Sequence, residues 1–371
     1  MTNNMKRFLK IISLALVSIF LVACGNSNDK TESTESEATV EKKDFKIGIS
    51  MPSKSLERWE KDGSFMVEKL KALGYDTDIQ YAQDGVSTQV SQIENQITTG
   101  VDVLVIAAID GEALSDVIGK AKNEDIPVIA YDRLLMNSEG VDYYTTFDLL
   151  EVGRLQGQYI VDKLDLENEA GPFNIELFGG APDDNNAHLF FEGAMSALNP
   201  YIEEGKLNIL SGQSSFNQVA TMDWNSAKAQ ERMDNILSAN YSSERIDAVL
   251  TQNDALAIGV VSSLSSVGYG SEDRPMPIIT GQDAEAASIK SIISGGQTMT
   301  VFKDTEALAG VAVDMIESIL NGEEVEVTDT ETYDNNVKVV PAYLLEPVSV
   351  DADNYQEIII DSGYIDASEI E

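Results

Sequence analysis

The chain has 371 residues, 25 Lys and Arg against 63 Asp and Glu, and a formal net charge of −38. A surface this acidic excludes nucleic-acid binding, which needs cations to neutralise phosphates, and it favours a soluble, self-repelling particle. The length suits two domains better than one, and a hydrophobic content of 43% is that of an ordinary folded chain with a sizeable core.

The first element is a leader. Lys6, Arg7 and Lys10 precede the short apolar run "IISLALVSIFLVA", a secretory pattern too short to favour a membrane-spanning helix. The run ends in "LVAC" with the only cysteine, Cys24. This junction resembles a bacterial lipobox, which implies cleavage after residue 23 and lipidation of Cys24, anchoring the protein to the outer face of the cell membrane. Cleavage would remove three cations and no anion, leaving a still more acidic chain. Residues 25–44 are rich in Ser, Thr, Glu, Asn and Lys and have no core of their own. They read as a tether spanning roughly 25 Å on average.

From Phe45 onward strands and helices alternate. "FKIGISM" predicts a strand, and Met66, Leu70 and Leu73 mark the apolar face of the following helix before Gly74 stops it. "TDIQYA" predicts a second strand, and Val90, Ile93 and Ile97 a second helix. "VDVLVIAA" and "IPVIAY" are near-continuous apolar runs, as parallel strands covered on both faces require. A second set follows "YYTTFD": strands at "FNIELFGG", "KLNILSG", "IDAVLT" and "MPIIT", with helices from about 187, 226 and 255 and near Ile289. The apolar spacing of Leu308, Val311, Met315, Ile316 and Ile319 predicts a helix that packs back on the first half. The fold class is therefore α/β, with two doubly wound parallel-sheet lobes joined by a hinge. The first lobe is assigned 45–146 plus about 304–335, and the second 147–303 plus about 336–371.

Ligands of open α/β sheets bind beyond the carboxyl ends of the strands, and the residues there are polar. Arg58 and Trp59 follow the first strand, Asp132 and Arg133 follow "IPVIAY", and "APDDNNAH" brings Asp184 and Asn186 with Phe190 behind them. Asn253 follows "IDAVLT", Asp283 follows "MPIITGQ", and Lys303 follows "TMTVF". Carboxylates accept a hydroxyl's proton, amides and cations feed its lone pairs, and an aromatic face covers C–H surface, so the set suits a neutral polyol. Asn and Asp also cap helices. A cation at a helix start is unfavourable, so Arg133 and Lys303 resist that explanation.

The segments "RWEKDGSFMVEKLKALGY", "IPVIAYDR", "GGAPDDNNA", "VLTQNDALA", "SGQDAE" and "TVFKDT" resemble the sugar-binding receptors of ABC importers. The nearest branch is that of the xylose-binding and multiple-monosaccharide-binding proteins, of the type I periplasmic-binding-protein fold. The resemblance implies hinge closure on an aldopentose or aldohexose such as xylose, arabinose, glucose or galactose, and delivery to an ABC permease. By the same resemblance Trp59 stacks under the sugar, Asp132 and Arg133 act from the first lobe, Asp184, Asn186, Asn253 and Asp283 from the second, and Lys303 from beside the hinge. That family often places a second stacking aromatic near "SGQSSF", where this chain has Ser214 and Ser215; Phe190 or Trp224 are the available substitutes.

Other signals are weaker. His188 is the only histidine, so no His-based zinc site or serine triad can form. "DLENEAG" has Ala170 where a calcium loop needs glycine. No catalytic residue, metal or cofactor is expected, and a monomer is. The alternatives are a receptor signalling to a membrane sensor kinase and a sugar-acting enzyme of the same fold.

Overall fold

The computed structural model describes residues 45–169 and 171–370. The leader, Cys24, the tether and Ala170 of the rejected calcium loop lie outside the described residues. Among the described residues no helix is long and apolar enough to cross a membrane.

The first lobe is built from β1 (Lys46–Met51), α1 (Glu57–Ala72), β2 (Asp76–Tyr81), α2 (Val86–Thr98), β3 (Val103–Ile106), α3 (Ser115–Asn123), β4 (Val128–Tyr131) and β5 (Tyr143–Phe147). The second begins with α4 (Leu149–Lys163), β6 (Phe173–Phe178), α5 (Asn185–Glu203), β7 (Leu207–Asn208), α6 (Phe216–Val219) and α7 (Ser226–Asn240). It continues through β8 (Ala248–Thr251), α8 (Asp254–Ser266), β9 (Ile278–Ile279), α9 (Ala286–Ser294) and β10 (Met299–Phe302). Then come α10 (Thr305–Asn321), β11 (Ala342–Leu345), β12 (Val348–Asp351) and α11 (Ala367–Ile370).

Six strands form an all-parallel sheet in the order β11-β5-β4-β3-β1-β2, and four form a second parallel sheet, β7-β6-β8-β9. β10 and β12 pair antiparallel. Period-two geometry sends successive side chains of one strand to opposite faces. In β3, Val103 and Val105 join the core under α1 and α10, while Leu104 and Ile106 join the core under α2 and α3. α10 returns to the first lobe as expected, burying Leu308, Ala309, Ala312 and Ile316 against β1 and β5.

The chain passes between the sheets after β5, between β10 and α10, and between β11 and β12. The last crossing differs from the sequence expectation, which gave everything beyond about 336 to the second lobe. Ala342–Leu345 instead pairs with Tyr144, Thr145, Thr146 and Phe147 at the edge of the first sheet, and the crossing follows at Glu346 and Pro347. The expected strands "KLNILSG" and "MPIIT" are also shorter than read, with only two residues each in the sheet.

The pairing of α4 with α5 sets the second lobe's side of the cleft. A Cβ at Gly153 would fall 1.9 Å from the Phe190 carbonyl oxygen, and one at Gly193 would fall 2.1 Å from that of Leu150. Glycine at both positions lets the backbones approach until Asn186 and Phe190 reach the first lobe. Backbone cannot yield as a flexible side chain can, so Gly153→Ala should destabilise the fold by about 1–3 kcal/mol in a denaturant melt. Wild-type stability would show that the two helices are not held at this distance.

Candidate functional site

The carboxyl ends of both parallel sheets face one cleft, and all ten residues singled out from the sequence line it. Leu56, Trp224 and Gln282 complete the lining.

Arg58 enters from the second position of α1. Its Nη2 donates to Asp62 Oδ2, one turn on, at 2.8 Å, and its Nη1 lies 2.9 Å from Asp132 Oδ1 and 3.6 Å from Asp283 Oδ1. Lys303 approaches the same two carboxylates, 3.1 Å from Asp283 and 3.7 Å from Asp132, and is 1% exposed. Burial alone would lower the Arg58 pKa, but Asp132, Asp62 and Asp283 outweigh it and raise it well above the ordinary value. Burial works to raise Asp132, and Arg58, Lys303 and Arg133 overcome it, leaving the carboxyl below its ordinary value and ionised at neutral pH.

Two carboxylates owe their position to strained backbone. Asp132 has φ 59°, and its carbonyl accepts from Tyr144 Oη, Thr146 Oγ1 and, across the cleft, Asn186 Nδ2 at 2.8 Å. Asp283 has φ 94° and Ala284 φ 50°, held by Asp283 N–H to Val301 O and Ala284 N–H to Thr300 Oγ1. Left-handed backbone at residues with side chains is stored strain, which clusters at functional sites.

The stretch "APDDNNAH" divides its labour. Asp184 is the N-cap of α5, its Oδ1 accepting from Asn186 N–H, while its Oδ2 accepts from Trp224 Nε1 at 3.1 Å and lies 2.9 Å from Arg133 Nε. Asn186 sits inside the helix and is free of capping. Asn253 caps α8 through its Oδ1 and also lines the cleft. His188 lies outside it, bonded to Pro182 O and packed on Phe216.

The second-lobe wall is aromatic. Phe190 and Trp224 meet edge to face at 6.4 Å, and Trp224 has φ 53°. The indole fits because residue 180 is glycine: a Cβ there would fall 2.0 Å from the ring. Ser214 and Ser215 are exposed, and Phe216 beside them packs on His188 and Phe191 instead. Opposite, the Arg58 and Arg133 guanidiniums lie 4.3 and 5.1 Å from the centre of the Trp59 ring.

The cleft carries buried polar atoms that the protein does not hydrogen-bond. Asn186 Oδ1 and Gln282 Oε1 are acceptors of this kind and Arg58 Nε is a donor, whereas Asp132 Oδ1, Asp283 Oδ1 and Arg133 Nε are held in the ion pairs above without well-aligned hydrogen bonds. Buried polar groups are nearly always hydrogen-bonded, so exceptions that face the cleft are suited to a polar ligand. Sequence reasoning missed Gln282 and Asp62. Gln282 reads as a spacer before Asp283, whereas Asp62 was legible in principle as the acid four residues after Arg58 on one helix face.

Behind Asp283, Asp254 accepts from Gln297 Nε2 and from Glu285 N–H, wholly buried. Burial pushes its carboxyl up to about 7, with the Asp283 charge adding to the rise and the Gln297 bond opposing it. Burial, then Asp254, Asp283 and Glu57, push Glu285 up to about 8.

The periplasmic binding protein domain family matches residues 47–324. The chain is 57% identical over 318 residues to the multiple sugar-binding periplasmic protein SbpA of Azospirillum brasilense, covering 86% of this chain and 89% of that one. It is 55% identical over 324 residues to the multiple sugar-binding periplasmic receptor ChvE of Rhizobium radiobacter, covering 87% and 92%. Among solved structures it resembles an ABC transporter solute-binding protein from Clostridium phytofermentans with bound β-D-glucose. The TM-score there is 0.85 and the identity 48%, over 88% of this chain and all of that one.

The raised acids give a signed pH dependence. Both folded-state values lie above those of unfolded carboxylates, so the protonated forms favour the fold; this contribution is complete below about pH 4 and is lost as pH rises through 7 to 8. Glu285→Gln removes one of the two acids and one charge facing the other. Its melting temperature should therefore fall less than the wild type's between about pH 6 and pH 9; parallel profiles would contradict the assignment.

Two parallel-sheet lobes, three crossings and a polar cleft at the strand ends agree with the sequence matches: the chain belongs to the periplasmic binding protein domain family.

Proposed function

We propose that the protein captures a monosaccharide in the cleft by closure of its two lobes and hands it to an ABC permease on the extracytoplasmic side of the cell membrane. The observation that carries this reading is the set of buried carboxylate, amide and guanidinium groups that line the cleft between aromatic walls. Carboxylate and amide oxygens accept hydroxyl protons, guanidinium N–H groups donate to hydroxyl oxygens, and Trp59, Phe190 and Trp224 offer apolar faces to ring C–H bonds. Three cations (Arg58, Arg133, Lys303) meet four carboxylates (Asp62, Asp132, Asp184, Asp283), so the cleft lacks the positive excess that an anionic ligand would need. A neutral, polyhydroxylated ring fits both facts. The sugar-binding relatives and the glucose-bound neighbour support the same class, and "multiple sugar-binding" supports aldoses as a group.

The ligand contacts proposed are Arg58, Trp59, Asp132, Arg133, Asp184, Asn186, Phe190, Asn253, Asp283 and Lys303, with Trp224 and Gln282 added from the cleft lining. A panel of D-glucose, D-xylose, D-galactose and L-arabinose in a thermal-shift assay selects the best ligand, since one at 100 times its Kd adds about 2.7 kcal/mol. In calorimetry with that sugar, Asn186→Ala and Asp283→Ala should each lose about 1–3 kcal/mol of affinity while remaining folded. Wild-type affinity in both variants would overturn the assignment of the cleft.

The periplasmic relatives support an extracytoplasmic location, and the resemblance of "LVAC" to a lipobox supports attachment through Cys24, with residues 25–44 as tether. Cys24→Ser should release the protein from the membrane fraction or block its processing. Unchanged retention and processing would contradict the anchor.

A further inference from the structure

The segment after β12 reaches back to the cleft from behind. Residues 354–370 pack on α9 through Ile359 and Ile365, in a core shared with Ile289, Ile292 and Phe302 of the second lobe. Tyr364 leaves that core toward the first lobe. Its ring meets Phe302 edge to face at 4.6 Å, and its hydroxyl lies 3.0 Å from Thr305 Oγ1. Lys61 of α1 places its Nζ 5.5 Å from the centre of the same ring.

Thr305 and Lys61 both belong to the first lobe. Thr305 opens α10, whose Leu308, Ala309 and Ala312 are buried in the first-lobe core, and α1 is the helix that carries Arg58 into the cleft. Tyr364 and Thr305 thus join the C-terminal segment of one lobe to the start of α10 in the other. Burial, together with the nearby Asp62 and Asp283 charges, pushes the Tyr364 phenol up, so it remains a neutral hydroxyl able to bridge.

We propose that Tyr364 is an interlobe latch: its hydroxyl, bonded to Thr305, holds the C-terminal segment of the second lobe against α1 and α10 when the cleft is closed and thereby slows the departure of bound sugar. Tyr364 is a positioning residue, since it does not line the cleft. Hinge closure turns on a few residues at the crossings between lobes, and a bond made beside a crossing in the closed form alone shifts the balance toward that form. The latch rests on the sugar-binding reading, but its geometry does not.

The test uses the full chain and D-glucose as probe. Stopped-flow displacement should show sugar leaving Tyr364→Phe roughly two- to tenfold faster than the wild type, the loss of one net hydrogen bond, with the association rate unchanged. Thr305→Val should match it, and the double variant should be no faster than either single one, because both remove the same bond. Release at the wild-type rate, or a lowered melting temperature with unchanged release, would overturn the latch. If wild-type protein binds no D-glucose, the sugar reading fails for that ligand and the latch is read without it. The chain's two tryptophans, Trp59 and Trp224, both line the cleft. Acrylamide quenching of their fluorescence should be stronger in Tyr364→Phe than in the wild type, and equal quenching would overturn the proposal.

Discussion

Arg58 is a buried cation whose charge is tolerable only because carboxylates from both lobes surround it. Desolvating a guanidinium is costly, and the cost is offset by Asp62 on its own helix, Asp132 from the end of β4 and Asp283 from the other lobe. The three come from separate chain segments, the first and last (Asp62 and Asp283) more than 200 residues apart, so the cluster exists only when both lobes are folded and facing. Much else answers to that constraint. The left-handed turns at Asp132 and Asp283 aim carboxylates that an extended chain would send elsewhere, and the glycines of α4 and α5 bring Asn186 within 2.8 Å of the Asp132 carbonyl. Strain and close packing are the costs of assembling these charges in one cleft.

The pairing is incomplete, and its incompleteness is functional chemistry. Asp132 Oδ1 and Asp283 Oδ1 are held by cations yet keep lone pairs to spare, and Asn186 Oδ1 has no hydrogen-bond partner. Such atoms cost free energy in a closed protein until something donates to them. A sugar brings several hydroxyls at fixed spacing on a rigid ring, so one ligand can settle several of these atoms together. On the proposed reading the same atoms would supply discrimination, because a site built to hydrogen-bond a hydroxyl rejects a ligand lacking it far more strongly than an apolar pocket rejects a missing methylene. Closure and recognition therefore have a common cause: the groups that bridge the lobes are the groups that are left wanting.

The sequence exposed the architecture because parallel strands must be apolar on both faces, and runs such as "VDVLVIAA" fit little else. It exposed the cleft because polar residues clustered at each strand's end, and the two cations, Arg133 and Lys303, could not be helix caps. Less legible were features made by tertiary geometry. Trp224 emerged only as a substitute aromatic, since its place in the wall depends on a left-handed backbone and on the missing side chain of Gly180, some forty residues away. "PAYLLEPVSVD" is divided between two lobes at Glu346 and Pro347, so the boundary expected near 336 falls after Leu345. The opening between helix cap and ligand contact in "APDDNNAH" also needed coordinates: Asp184 serves the cap, and Asn186 is left for the cleft.

A crystal structure of the protein with D-glucose bears most directly on the proposal that the buried oxygens of the cleft are the seats of the ligand. The account predicts the sugar between Trp59 and the Phe190–Trp224 wall, with its hydroxyls within hydrogen-bond distance of Asp132 Oδ1, Asn186 Oδ1 and Asp283 Oδ1. A sugar bound without contact to any of those three oxygens, or seated outside the cleft, would contradict it.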